Sequence, residues 1–162
     1  MGLGVGVMRV RATLVIAAIC LIIAVAALGA TDASATMRIS DDVGGRIGAY
    51  VDQYSAVRAS GEKVVIDGAC LSACTLVLGI VPRNRICVTR RAMLGFHAAW
   101  MPGPNGKPVP SQVGTQALWD MYPSHVRKWI NARGGLTSKM MFLRGSELMS
   151  MYAECRADDW IR

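Results

Sequence analysis

Val64-Val65-Ile66-Asp67-Gly68-Ala69-Cys70-Leu71-Ser72-Ala73-Cys74-Thr75 is the stretch from which the rest of the chain is read. Three consecutive β-branched residues predict a short buried strand. Asp67-Gly68 predicts a tight turn closing it. Small residues follow, and Ser72 opens a short helix that buries Leu76, Val77 and Ile80 and stops at Pro82. A serine at a helix start sits among unsatisfied backbone N–H groups and the positive end of the helix dipole. Negative charge developing on an attacked carbonyl is stabilised at such a point. Serines also cap helices without any chemistry, and taken alone this segment favours the cap.

Working outward, Met37 to Ser40 reads as a strand, followed by a turn at Asp41-Asp42-Val43-Gly44-Gly45. Ile47, Tyr50, Val51, Tyr54 and Val57 recur at helical spacing up to Ser60-Gly61. Beyond Pro82, strands are expected around Arg85–Thr89 and Met93–His97. Met101 to Pro110, with four prolines and two glycines, reads as a loop. A long helical segment runs from about Gln112 to Ala132, interrupted at Pro123, and a last helical piece near Glu147–Tyr152 leads to Cys155. Alternating helix and strand predict an α/β fold, a mostly parallel sheet flanked by helices, in one domain over residues 36–162.

The N-terminus has the parts of a cleavable secretory signal over residues 1–35. Arg9 and Arg11 precede an uncharged apolar run, Ala12 to Leu28, and Ala33-Ser34-Ala35 forms an A-x-A cleavage site. The alternative is a retained anchor, since the apolar run sits at the lower limit for spanning a bilayer. Cleavage implies a periplasmic or secreted domain of 127 residues with no stable membrane span.

The whole chain carries 18 Lys plus Arg against 11 Asp plus Glu. Without Arg9, Arg11 and Asp32 the net charge is +6, scattered except at Arg83, Arg85, Arg90 and Arg91. No aromatic side chains interleave those arginines, so the pattern is a solvated basic face and not a nucleic-acid surface. Cys70, Cys74, Cys87 and Cys155 remain, an even number that suggests disulfides in an exported chain. Three pairings are open, of which Cys70–Cys74 with Cys87–Cys155 is preferred. A zinc site on Cys70, Cys74 and a histidine is the weaker option, because paired short-spaced ligand motifs are lacking. No cofactor is indicated.

Two further features give Ser72 a chemical context. Gly44-Gly45 follows a strand and opens a helix, which leaves its amides available to a crevice. His97, one of two histidines, ends a strand 25 residues after Ser72, where open α/β sheets place their sites. Together Gly44-Gly45, Gly68-Ala69-Cys70-Leu71-Ser72-Ala73-Cys74 and Gly95-Phe96-His97 resemble the Clp protease and crotonase superfamily, above all its exported Clp-protease-like branch. The resemblance covers about Met37 to Cys155 and implies a small, trimmed version of that fold. It implies Ser72 as nucleophile, His97 as base, and the backbone N–H groups of Gly45 and Ala73 as oxyanion hole. It further implies a peptide or protein substrate and self-association into homo-oligomers through the long second helix. The family's aspartate should fall near Ser138–Phe142, where this chain has no carboxylate. Asp120, Glu147, Ser138 or a backbone carbonyl are the available substitutes. Two functions follow: an exported serine hydrolase, a peptidase, working with a Ser72–His97 dyad, or a catalytically inactive binding or assembly module in the cell envelope. Acyl-CoA chemistry fits an exported chain poorly.

His125 reads as a helix-surface residue, and Met140, Met141, Met149 and Met151 as adaptable packing. Trp100, Trp119, Trp129 and Trp160 are expected as core or interface anchors, with Trp100 also placed to line a pocket.

Overall fold

A computed structural model describes residues 35–159; the export signal expected over 1–35, apart from Ala35, and Trp160 lie outside the described residues. The described chain is a mixed α/β unit. β1 (Thr36–Asp42), α1 (Ile47–Ser60) and β2 (Lys63–Leu71) form a strand–helix–strand unit in which β1 and β2 pair in parallel. One edge of β2 carries β1. The other is shared by β3 (Ile86–Val88) and β4 (Met93–Phe96), both parallel to it. β3 aligns with Val64–Ile66, and β4 aligns further along with Ala69–Leu71. Outside these lie β7 (Met141–Arg144), antiparallel to β4, and β8 (Ala153–Glu154), parallel to β3. The sheet is therefore mostly parallel, as the alternating pattern predicts.

β2 is the central strand, and its composition explains why. Val64, Val65 and Ile66 are fully or almost fully buried. Burying each such side chain contributes about 1.5–3 kcal/mol. Tyr54 of α1, Leu76 after β2, Leu143 of β7 and Leu148 of α5 (Gly145–Met151) join the same core. The expected helix of residues 112–132 is two helices, α3 (Gln112–Met121) and α4 (Ser124–Asn131), divided at Pro123. Proline lacks the N–H needed to continue the first of them. Val126, Trp129 and Ile130 of α4 are buried. Trp129 thus packs in the core, whereas Trp100 is 55% exposed. His125 is half-buried, with Nε2 3.0 Å from the Tyr152 hydroxyl, and is not a free surface histidine. Both disulfides follow the preferred pairing, Cys70–Cys74 and Cys87–Cys155. They are compatible with an extracytoplasmic protein, since such bonds persist in oxidising compartments. With Cys70 and Cys74 bonded to each other, no thiolate is left for the zinc alternative.

Asp67-Gly68 is not a turn. β2 runs straight through it to Leu71, for two reasons. β1 carries a register irregularity between Ile39 and Asp41, and the Ser40 carbonyl comes so close that a Cβ on Gly68 would stand 1.8 Å from its oxygen. Only glycine fits there. Asp67 is buried but satisfied: its carboxylate takes hydrogen bonds from Arg38 and from Thr89 Oγ1 (2.8 Å), with Arg91 at 3.8 Å. Burial alone would raise its pKa, but those donors and charges hold the carboxyl below the ordinary value. A depressed folded-state pKa stabilises the fold above the unfolded-state value and stops doing so as the pH falls through the folded-state value. Stability is therefore expected to decline below about pH 4. Asp67→Asn should flatten that acid limb and cost roughly 2 kcal/mol at neutral pH, read by urea denaturation across pH. An unchanged acid limb would show that Asp67 does not contribute to it.

β5 (Trp100–Pro102) and β6 (Pro108–Pro110) form a separate antiparallel hairpin where the sequence predicts a plain loop. Proline at its strand ends suits two short exposed edges.

Candidate active site

Ser72 stands at the point where β2 ends, not inside a regular α-helix. Residues Ser72–Leu76 form a 3-10 turn, followed by the short α2 (Val77–Ile80). Ser72 itself has φ 56°, one of two non-glycine residues with positive φ among the described residues. A left-handed non-glycine residue costs about 1–3 kcal/mol and persists only when its surroundings hold it. Three contacts do so. Thr75 Oγ1 donates to the Ser72 carbonyl at 2.6 Å and lies 2.7 Å from the buried Tyr122 hydroxyl. The Cys70–Cys74 disulfide spans the turn with Ser72 at its centre. The Gly44 turn abuts it from the other side: a Cβ on Gly44 would meet Ser72 Cβ at 2.6 Å and Ala73 N at 3.0 Å. This is the sharp strand-to-helix geometry that raises a serine hydroxyl out of a sheet.

The Gly44 turn is built by Asp42. Its Oδ1 accepts from Gly44 N at 2.8 Å and from the Tyr50 hydroxyl at 2.5 Å. Burial, with the Asp42 carboxylate beside it, pushes the Tyr50 hydroxyl up to about 12, so it stays a donor at any working pH. Asp-x-Gly is a turn signal, but the sequence does not disclose that this turn packs on Ser72.

His97 follows β4 directly. Its Nε2 lies 2.8 Å from Ser72 Oγ, and its Nδ1 lies 2.7 Å from the Ala98 carbonyl oxygen. A carbonyl only accepts, so Nδ1 carries the proton and the Nε2 lone pair faces the serine hydroxyl. That is the tautomer a general base needs. The pair is brought together by the β2–β4 ladder, in which Leu71 is opposite Gly95. The group beside Nδ1 is thus neither a carboxylate nor a dry apolar side chain. Asp120 is bonded instead to Gln116 Nε2 (2.8 Å), Glu147 pairs with Arg133, and Ser138 is exposed.

A cleft of about 580 Å³ opens over the two side chains. Gly44, Gly45 and Arg46 line one side, and Ala99, Trp100, Met101 and Gly114 are among the residues lining the rest. Ala73 is buried and, unlike Gly45, is not among the residues lining the cleft. Three large apolar side chains are exposed in the lining, Val43 at 75%, Trp100 at 55% and Met101 at 52%, together with exposed Arg46. Large exposed apolar side chains gathered at one concavity mark a binding surface. Among the described residues, no group of three or more His, Cys, Asp and Glu is arranged to hold a metal ion. No family model and no curated protein matches the chain.

Proposed function

We propose that the domain is an exported serine hydrolase, a peptidase of the Clp-protease-like kind, acting in the periplasm or after secretion. The observation that supports this best is the 2.8 Å contact between Ser72 Oγ and His97 Nε2, with Nδ1 occupied by a carbonyl. In the proposed reaction His97 takes the hydroxyl proton as Ser72 attacks the substrate carbonyl. The amides of Gly45 and Ala73 receive the oxyanion. His97 then passes the proton to the leaving group, and water, activated by the same imidazole, releases the acyl chain from Ser72. Trp100, Met101 and Val43 favour a substrate with a bulky apolar side chain next to the scissile bond. Peptide or protein segments of that kind, and self-association of the domain, belong to the same reading.

The second reading is a binding or assembly module that keeps the cleft and lacks turnover, and the missing carboxylate favours it. A fluorophosphonate probe separates the two. The purified domain should be labelled, and Ser72→Ala should reduce labelling by at least about a hundredfold. Equal labelling of both proteins, or of neither, removes the hydrolase reading.

A further inference from the structure

We propose that Thr115 is a positioning residue for His97, acting through the Ala98–Ala99 peptide group; the proposal rests on the hydrolase reading of the Ser72–His97 pair. A trans peptide places its C=O and N–H on opposite edges of one rigid plane. On one edge of the Ala98–Ala99 plane, the carbonyl receives His97 Nδ1 at 2.7 Å. On the other edge, Ala99 N–H donates to Thr115 Oγ1 at 2.9 Å. Thr115 spends its own proton on the Ser111 carbonyl at 2.8 Å, so its lone pairs are turned toward Ala99. Whatever fixes the N–H fixes the carbonyl.

The neighbouring peptide groups are held as well. Ala98 N–H donates to the Thr137 carbonyl at 2.7 Å, and Ser111 N–H donates to the Ala99 carbonyl at 2.8 Å. Three consecutive peptide groups between β4 and β5 are therefore pinned, two of them by the start of α3. Ser111 is the N-cap of α3, accepting from Gly114 N at 3.1 Å, so the acceptor for the Thr115 hydroxyl is itself anchored.

The chemistry follows from the acceptor's nature. A pinned carbonyl orients the imidazole and selects the Nδ1–H tautomer, the two geometric duties of the carboxylate in a serine triad. It lacks the full negative charge that would stabilise the imidazolium formed during attack. Donation of Ala99 N–H to Thr115 polarises the same amide and puts more negative charge on the Ala98 oxygen. Thr115 thereby serves both orientation and charge without touching the imidazole or the substrate.

The test reads the imidazole directly, in the mature domain labelled with 15N-histidine, with His125→Gln used to assign the two rings. The neutral imidazole of His97 in the wild type is expected to be held in the Nδ1–H tautomer. Thr115→Val should give a tautomer mixture and lower kcat on an activated apolar ester about ten- to a hundredfold, with KM nearly unchanged. Thr115→Ser, which keeps the oxygen, should recover the tautomer and most of the kcat. Thr115→Ala, which adds no bulk, takes the place of the valine variant if that one does not fold. A tautomer and a kcat indifferent to both the valine and alanine variants, in a protein that fluorophosphonate labels, overturn the role of Thr115 and leave the hydrolase standing. A tautomer that responds to Thr115 in a protein that no probe labels supports the positioning role and overturns the hydrolase.

Discussion

His97→Ala is expected to lower kcat for ester or peptide hydrolysis by about 10⁴- to 10⁶-fold, with KM changed little. The serine hydroxyl is a poor nucleophile unless its proton has somewhere to go during attack. Among the described residues, the side-chain base against Ser72 Oγ is the imidazole at 2.8 Å. In the proposed reading substrate rests on Trp100, Met101 and Val43 of the cleft lining, which this substitution leaves in place. Burst and steady-state kinetics on an activated ester check this. Residual turnover within tenfold of the wild type would show that another group takes the proton.

Gly44→Val carries the second large effect, and it works through the backbone. Gly44 has φ +85°, a region that costs an L-residue about 1–2 kcal/mol. The new Cβ would also stand 2.5 Å from the Leu71 carbonyl oxygen and 2.6 Å from Ser72 Cβ. Neither atom is the free end of a flexible side chain, so one of the two turns must move. The expected loss is about 3 kcal/mol of stability, strain and overpacking together. Fluorophosphonate labelling should be abolished even in the fraction that remains folded. Gly48→Ala is the control, since a Cβ there meets nothing within 4 Å. Thermal unfolding and labelling of the two variants side by side decide the matter; a labelled, stable Gly44→Val would show that this turn does not shape the serine.

Periodicity gave good access to the scaffold. The α1 stripe of Ile47, Tyr50, Val51, Tyr54 and Val57 and the division at Pro123 are local signals, and the structure follows them. Taken alone, Ser72 reads as a helix cap, and its pairing with His97 comes from the resemblance; the structure sets Oγ and Nε2 2.8 Å apart. What was hidden depends on distant partners. Asp67-Gly68 has the chemistry of a turn, yet it lies in mid-strand because Arg38 and Thr89 satisfy the aspartate and a displaced Ser40 carbonyl occupies the space beside the glycine. Met101 to Pro110 reads as a loop because strands of three residues, flanked by prolines, leave no alternation to detect. The orienting group of His97 is one of the substitutes the sequence offers, a backbone carbonyl, but a main-chain oxygen has no letter of its own, so nothing in the chain singles out that of Ala98. Its supports, Thr115, Ser111 and Thr137, are ordinary cap and loop residues until the fold sets them around one peptide.

The Cys87–Cys155 bond closes a covalent ring of the intervening residues, while Cys70–Cys74 closes a much smaller one. The hydroxyl belongs to the small circuit and the imidazole to the large one. No cross-link connects the two, so their alignment depends on the hydrogen-bonded seam between Ala69–Leu71 and Met93–Gly95. A proteolytic nick in the Pro102–Pro110 hairpin would leave both halves tethered through Cys87 and Cys155 and would spare that seam. Such a clipped form would migrate as one species until reduced, with its nucleophile and base still facing each other.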